Sequence, residues 1–276
     1  MALKWYPGHM SKTKHDIENT KIVDAIVEVL DARAPSSSRG VFLNKFNKPI
    51  VLVLNKSDLA CDILSKEWSV FFKNQNFEVL TAVSNLKSIR NRLLISLRKI
   101  CRRNEIKSKF NKAFRVIVVG VPNSGKSSFI NNILGKKRVK TENRPGVTLK
   151  NSWHVLDNEL EICDTPGVLS PKINDDTEFK LNVLGVIKNT LYDREILALK
   201  LIDFLKRNEF LNDFLVNIFK NPDVLNLESN LILTKFAISR NLISPGGAEN
   251  INLASEIFLN DFKKGKFGKI TLETVT

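Results

Sequence analysis

At 276 residues the chain is long enough for one sizeable α/β core plus a smaller domain, and 43% hydrophobic with 26% charged residues excludes general disorder. The formal net charge of +14 favours a polyanionic partner, nucleic acid or ribonucleoprotein, over a surface that is basic only for solubility. Cys61, Cys101 and Cys163 are odd in number and form no Cys-x-x-Cys pair, which excludes a disulfide framework or zinc site and fits a reducing cytosol.

Along the chain, the opening Met1-Ala2-Leu3-Lys4-Trp5-Tyr6-Pro7-Gly8-His9 has no signal-peptide apolar core. No apolar run approaches the roughly 18 to 20 residues that cross a bilayer, so the expectation is a cytoplasmic chain with no membrane partner. Residues 21–30 and 49–54 are short β-branched runs ending in polar residues, as buried parallel strands do. Asn55-Lys56-Ser57-Asp58 follows the second run directly. Apolar residues then recur at helical spacing over 65–74 and 86–102, with Thr81-Ala82-Val83-Ser84 between them at a strand end. The stretch 98–115 carries eight Lys or Arg against one Glu and reads equally as a solvated basic linker or as an RNA contact. A third strand-like run at 115–119 leads into Gly120-Val121-Pro122-Asn123-Ser124-Gly125-Lys126-Ser127, and Asp164-Thr165-Pro166-Gly167 closes a further strand. This alternation predicts an α/β domain over 1–176, a doubly wound, mainly parallel sheet that binds its ligand at the carboxyl ends of the strands. From 177 to 276 the apolar spacing is helical, as in Ile196, Leu197, Leu201, Ile202 and Leu205, and Pro222 and Ser244-Pro245-Gly246-Gly247 break it into pieces, so the second domain reads as a small all-α bundle.

The chemistry sits in three motifs. A glycine-rich loop between strand and helix, Gly120-x4-Gly125-Lys126-Ser127, surrounds phosphates with backbone N–H groups and a helix N-terminus. Asn123, Ser124, Gly125, Lys126, Ser127 and Ser128 are therefore the expected phosphate-binding residues, with Lys126 as a point charge and the Ser127 hydroxyl on Mg²⁺. Asn55, Lys56, Ser57 and Asp58 form a base-reading motif: the Asp58 carboxylate can accept from the N1–H and exocyclic amine of guanine, a donor pair that adenine lacks. Turn formation and helix capping are the bland alternative for Asn55 and Asp58. Ser84 stands where a backbone group would meet the guanine oxygen, although a plain strand end reads equally well. Asp164 is expected to hold a Mg²⁺-bound water and the Gly167 N–H to reach the γ-phosphate, with Thr148 or its rival Thr141 as the second Mg²⁺ ligand. Val168 follows Gly167, and valine cannot orient an attacking water as the usual Gln does. His9 is the candidate to replace it, against the reading of a histidine in a terminal aromatic anchor.

These motifs run in an unusual order, base-reading motif first, phosphate loop second, Asp-x-x-Gly last, so the domain reads as a circularly permuted GTPase. With Trp5-Tyr6-Pro7-Gly8-His9-Met10, Asp31-Ala32-Arg33-Ala34-Pro35, Arg144-Pro145-Gly146-Val147-Thr148, Gly246-Gly247-Ala248-Glu249 and the run from Phe262 to Glu273, the chain resembles the ribosome biogenesis GTPase A family over nearly its whole length. Tyr6 departs from the usual phenylalanine, and the motif near Ser84 is degenerate. The resemblance implies a GTP-hydrolysing switch in late assembly of the large (50S) ribosomal subunit, stimulated by that subunit. It further implies a hydrolytic role for His9, an rRNA-facing C-terminal domain with Lys263, Lys264, Lys266 and Lys269 at the contact, and K⁺ accompanying Asn123. GTP and GDP, Mg²⁺, the large subunit, its precursors and rRNA are the expected ligands and partners of a monomer. A nucleotide kinase is disfavoured because Asn55-Lys56-Ser57-Asp58 would have no role there. An RNA-binding structural assembly protein using GTP only as a conformational ligand is the surviving alternative.

Overall fold

The computed structural model describes residues 23–82, 88–104, 113–135, 152–156, 158–167, 173–187, 193–208 and 212–275. Strands β1 (Ala25–Asp31), β2 (Ile50–Asn55), β3 (Glu78–Thr81), β4 (Phe114–Gly120), β5 (Ser152–Val155) and β6 (Leu160–Asp164) form one sheet in the order β3-β2-β1-β4-β6-β5. All pairings are parallel except the edge pair β5·β6. Every residue of β1 and β2 is buried, as expected of parallel strands covered on both faces.

The pleat divides these strands between two cores. Val27, Val29, Val51, Val53, Val116 and Val118 point to one face, where they meet Leu93 and Leu97 of helix α2 (Ile89–Arg103) and Phe129 and Ile130 of α3 (Lys126–Leu134). Ile26, Leu30, Leu52, Leu54, Ile117 and Val119 point to the other, against Trp68 and Phe72 of α1 (Asp62–Asn74). Glu28 interrupts this second face. Its buried carboxylate accepts from Arg39 Nε at 3.2 Å and Gly40 N at 2.5 Å, and Arg39 lies over the Phe77 ring at 4.4 Å. Burial raises the Glu28 pKa, with the Arg39 charge opposing.

The chain steps outward from β1 through β2 to β3, then returns to the far side of β1 as β4. That reversal makes the carboxyl ends of β1 and β4 a topological switch point, where sheets of this kind hold their ligands. The register sets Asp31 beside Asn55 and Val29 beside Gly120, so residues far apart in sequence reach one edge of the sheet.

The chain divides into two compact units, one ending at Glu178 and resuming at Thr271, the other Phe179–Ile270. The sequence reading assigns all of 177–276 to the second. The difference has a physical cause, because the final residues bond to the sheet unit: Leu272 N donates to Arg33 O at 2.6 Å and Trp68 Nε1 to Glu273 O at 3.1 Å. Helix α4 (Asp175–Val183) spans the boundary, and the second unit adds α5 (Arg194–Arg207), α6 (Asn212–Phe219), α7 (Ser229–Ser239) and α8 (Ile251–Lys263). Asp193 caps α5 and Asn250 caps α8 through their side chains. Leu201, Leu205, Phe236 and Phe258 are fully buried, and Phe236 meets Phe258 edge-on at 5.4 Å. Among the described residues no helix is long and apolar enough to cross a membrane.

Candidate functional site

Strand β4 ends in Gly120 and the chain turns through residues 121–125 into α3. Gly125 has φ +86°, and a Cβ there would collide with the Asn55 amide, so glycine is required on both counts. Asn123 also takes a left-handed conformation, at φ +57°, which asparagine tolerates better than most residues. The result is a loop leading into a helix N-terminus whose first-turn N–H groups face an incoming anion.

Lys126 is buried, and its Nζ pairs with Asp164 Oδ1 at the end of β6. The other Asp164 oxygen, Oδ2, and the Ser124 hydroxyl are buried without a hydrogen-bond partner among the described residues. A carboxylate oxygen without a donor fits a cation, and a hydroxyl without a partner beside a buried ammonium at a helix N-terminus can donate to a phosphate oxygen. Among the described residues no three His, Cys, Asp or Glu side chains cluster to cage a metal. Magnesium suits such a place, since it takes one or two protein oxygens and draws the rest from phosphates and water. Ser127 and Asp164 are the residues present to hold it. Thr165 Oγ1 donates to Val118 O at 2.8 Å and ties the end of β6 to β4. At Gly167 a Cβ would lie 2.9 Å from both Pro122 Cγ and Pro122 N, so the absent side chain lets Asp164-Thr165-Pro166-Gly167 pass directly over the phosphate loop.

The base-reading motif is bonded to that same loop. Asn55 Nδ2 donates to Ser124 O at 2.8 Å, and Lys56 Nζ donates to Asn123 O at 2.6 Å. Ser57 donates to Ala82 O through both N, at 3.3 Å, and Oγ, at 3.1 Å, which links the motif to the end of β3. Asp58 is exposed within a turn closed by Leu59 N to Lys56 O at 2.9 Å. The capping alternative fails here: α1 begins at Asp62 with Cys61 at its N-cap, leaving Asp58 outside the helix. Ser128 lies in the first turn of α3, half-buried like Ser127.

Asp31, which sequence reasoning noted only within the family resemblance, organises the site from behind. Its buried carboxylate accepts from Lys56 Nζ at 2.9 Å, from Arg33 Nε and a guanidinium terminal nitrogen at 2.9 Å each, and from Arg33 N at 3.1 Å. Burial alone would raise its pKa; the Arg33 and Lys56 charges and their hydrogen bonds outweigh it and hold the carboxyl well below the usual range. The available signal was a carboxylate at the carboxyl end of a strand beside the switch point.

Ser84, Thr141, Thr148, Val168 and His9 lie outside the described residues. Of the C-terminal lysines, Lys263 ends α8 and is half-buried, whereas Lys264, Lys266 and Lys269 are exposed on the segment that follows. Lys266 Nζ pairs with Asp261 Oδ1 at 2.6 Å, and Arg240 approaches the other oxygen at 3.2 Å.

A family model described as 50S ribosome-binding GTPase matches residues 115–228. It takes in the phosphate loop and Asp164-Thr165-Pro166-Gly167 but not Asn55-Lys56-Ser57-Asp58, which here precedes them. Ribosome biogenesis GTPase A of Bacillus pumilus is 31% identical over 283 residues, covering 99% of each chain. The Thermotoga maritima protein of that name is 30% identical over 273 residues, 98% of this chain and 94% of its own. Among solved structures, GNP-bound YlqF from T. maritima matches with a TM-score of 0.67 at 30% identity, covering 95% of this chain and 98% of that one. A GDP-bound YlqF structure matches with a TM-score of 0.68 at 28% identity and the same coverage.

Proposed function

This chain belongs to the ribosome biogenesis GTPase A family, and from that membership, joined to the site geometry, we propose that it is a GTP-hydrolysing switch acting on the large ribosomal subunit during late assembly. The observation that carries the reading is the pair of hydrogen bonds from Asn55 and Lys56 to the carbonyls of Ser124 and Asn123. They bring a guanine-reading motif and a phosphate loop into one site although their order in the chain is inverted.

In this reading Asp58 accepts from the guanine N1–H and exocyclic amine, and Lys126 with the N-terminus of α3 draws the phosphates. Bound Mg²⁺, held by Ser127 and Asp164 with Thr148, would neutralise charge developing on the transferred phosphoryl group, and K⁺ would act near Asn123. Gly167 N–H senses the terminal phosphate, so loss of that phosphate releases the segment. Val168 leaves the attacking water unoriented, and His9 supplies the missing group. The helical part, with Lys263, Lys264, Lys266 and Lys269, meets rRNA on the subunit or its precursors, and the protein works as a cytoplasmic monomer.

The test is a GTP hydrolysis assay with and without purified large ribosomal subunits. The switch reading expects slow intrinsic turnover and strong stimulation. Unstimulated turnover would favour an assembly protein that uses the nucleotide only as a conformational ligand, and equal binding of ATP and GTP would remove the role given to Asp58.

A further inference from the structure

The last residues of the chain bind behind the nucleotide site. Glu273 is buried, and its carboxylate accepts from Ser36 N at 2.7 Å, from Ser37 N at 3.0 and 3.3 Å, and from the Ser37 hydroxyl. Three further bonds hold the segment that presents it: Leu272 N to Arg33 O at 2.6 Å, Cys61 N to Thr271 Oγ1 at 3.0 Å, and Trp68 Nε1 to Glu273 O at 3.1 Å. Ser36 and Ser37 belong to the turn that follows β1, and its other side is closed on Asp31. There Ser38 Oγ accepts from Asp31 N at 3.2 Å and donates to Ala34 O at 2.6 Å. Arg33, held by Leu272 at its carbonyl, grips Asp31 with its guanidinium; Asp31 in turn holds Lys56, and Lys56 holds the phosphate-loop carbonyl of Asn123.

We propose that Glu273 is a positioning residue of the guanine nucleotide site: it fixes the turn after β1 so that Arg33 and Asp31 keep Lys56 on the phosphate loop. This rests on the guanine-site reading above. A charged acceptor of several N–H and O–H bonds is the strong kind of hydrogen-bonding group, and a buried one restrains a turn that otherwise has many conformations. Because the array shapes the pocket without touching the reacting atoms, its loss weakens ground state and transition state alike. The expected signature is a raised KM with kcat retained. The segment is also the direct continuation of the helical unit past Ile270, so the site depends on residues that follow that unit in the chain.

The experiment measures GDP affinity, and KM and kcat for GTP, in the full chain and in Glu273→Ala, Glu273→Gln, Asp31→Asn and the Glu273→Ala/Asp31→Asn pair. Glu273→Ala is expected to weaken GDP binding about tenfold with kcat at saturating GTP within about twofold, while Glu273→Gln, which keeps an acceptor oxygen, loses about threefold. In the Asp31→Asn background Glu273→Ala should add less than about twofold, because the array it acts through is already broken. Unchanged affinity in a folded Glu273→Ala, or a full tenfold further loss in the Asp31→Asn background, overturns the proposal. If Glu273→Ala does not fold, Glu273→Gln decides, and parental affinity in that variant overturns it. An unmodified chain that binds no guanine nucleotide would sink the site reading and this proposal together, whereas parental binding with an inert Glu273 sinks this one alone.

Discussion

The side-chain amide of Asn55 donates to the backbone carbonyl of Ser124 at 2.8 Å, across 69 positions of the chain. Both groups are buried, and the bond pins the end of β2 to the phosphate loop. Asn55→Ala removes the donor and leaves a buried carbonyl unmatched, which costs about 1 to 3 kcal/mol. Urea denaturation should show that loss, with weaker GDP binding beside it. Unaltered stability would mean that the loop is held by other contacts.

Lys126 and Asp164 form a buried ion pair, so removing the lysine has two consequences. Lys126→Ala should abolish hydrolysis, because it removes the ammonium that draws the phosphates into the loop. It should also lower stability by about 3 to 5 kcal/mol, the usual cost of stranding one member of a buried pair. Adding Asp164→Asn should restore much of that stability and none of the turnover. Equal denaturation midpoints for the single and double variants would show that the pair does not stabilise the fold.

The sheet was legible because its strongest signals are local. Runs such as Ile50-Val51-Leu52-Val53-Leu54 can pack as buried parallel strands, and Gly120-x4-Gly125-Lys126-Ser127 between strand and helix has few other uses. Helices were found but their ends drifted: α1 begins at Asp62, three residues before the apolar pattern, and α2 at Ile89, three after the start read from spacing. The array around Asp31 was not legible, since a lone Asp at a strand end looks like any turn residue until Lys56 and Arg33 are seen to converge on it. Nor was the return of Thr271-Leu272-Glu273 to Arg33 and Ser37, because a pairing across more than 230 residues leaves no periodic trace. Glu28 likewise reads as an error in an apolar strand until Arg39 and Gly40 are found around it.

Asp31 also makes acid stability testable. Its folded pKa is depressed, so its contribution is complete above the ordinary value of 3.8 and is lost as pH falls below that toward the folded value. Glu28 acts in the opposite sense: its raised pKa makes its ionisation cost stability as pH rises from the acid side. Asp31→Asn should therefore destabilise by about 3 kcal/mol or more near pH 7 and by clearly less near pH 3, flattening the acid limb of the stability profile. Urea denaturation at the two pH values provides the check, and an equal loss at both would mean that the ionised carboxylate is not what holds the array.

If rRNA meets the helical unit at its basic end, affinity for ribosomal particles should fall steeply with added salt. Each phosphate contact contributes about 0.7 to 0.9 to the logarithmic slope. Neutralising Lys263, Lys264, Lys266 and Lys269 together should flatten it. Lys266 should contribute least, because Asp261 already offsets its charge at 2.6 Å. Sedimentation with particles over a salt series measures the slope, and an unchanged one would move the contact to the basic residues 98–115.

His9 carries the predicted effect on the particle-stimulated rate. Val168 occupies the position from which a glutamine would orient the attacking water, and an aliphatic side chain can neither donate nor accept. Some group must still align that water, and the imidazole of His9 in the segment Trp5-Tyr6-Pro7-Gly8-His9-Met10 is suited to do so on the particle, as added groups complete other GTPase sites. His9→Ala should leave GTP affinity nearly unchanged and lower the particle-stimulated rate by about 10²-fold or more. Single-turnover hydrolysis with saturating particles reads the effect. A stimulated rate that survives His9→Ala would assign the water-orienting group to the ribosomal particle itself.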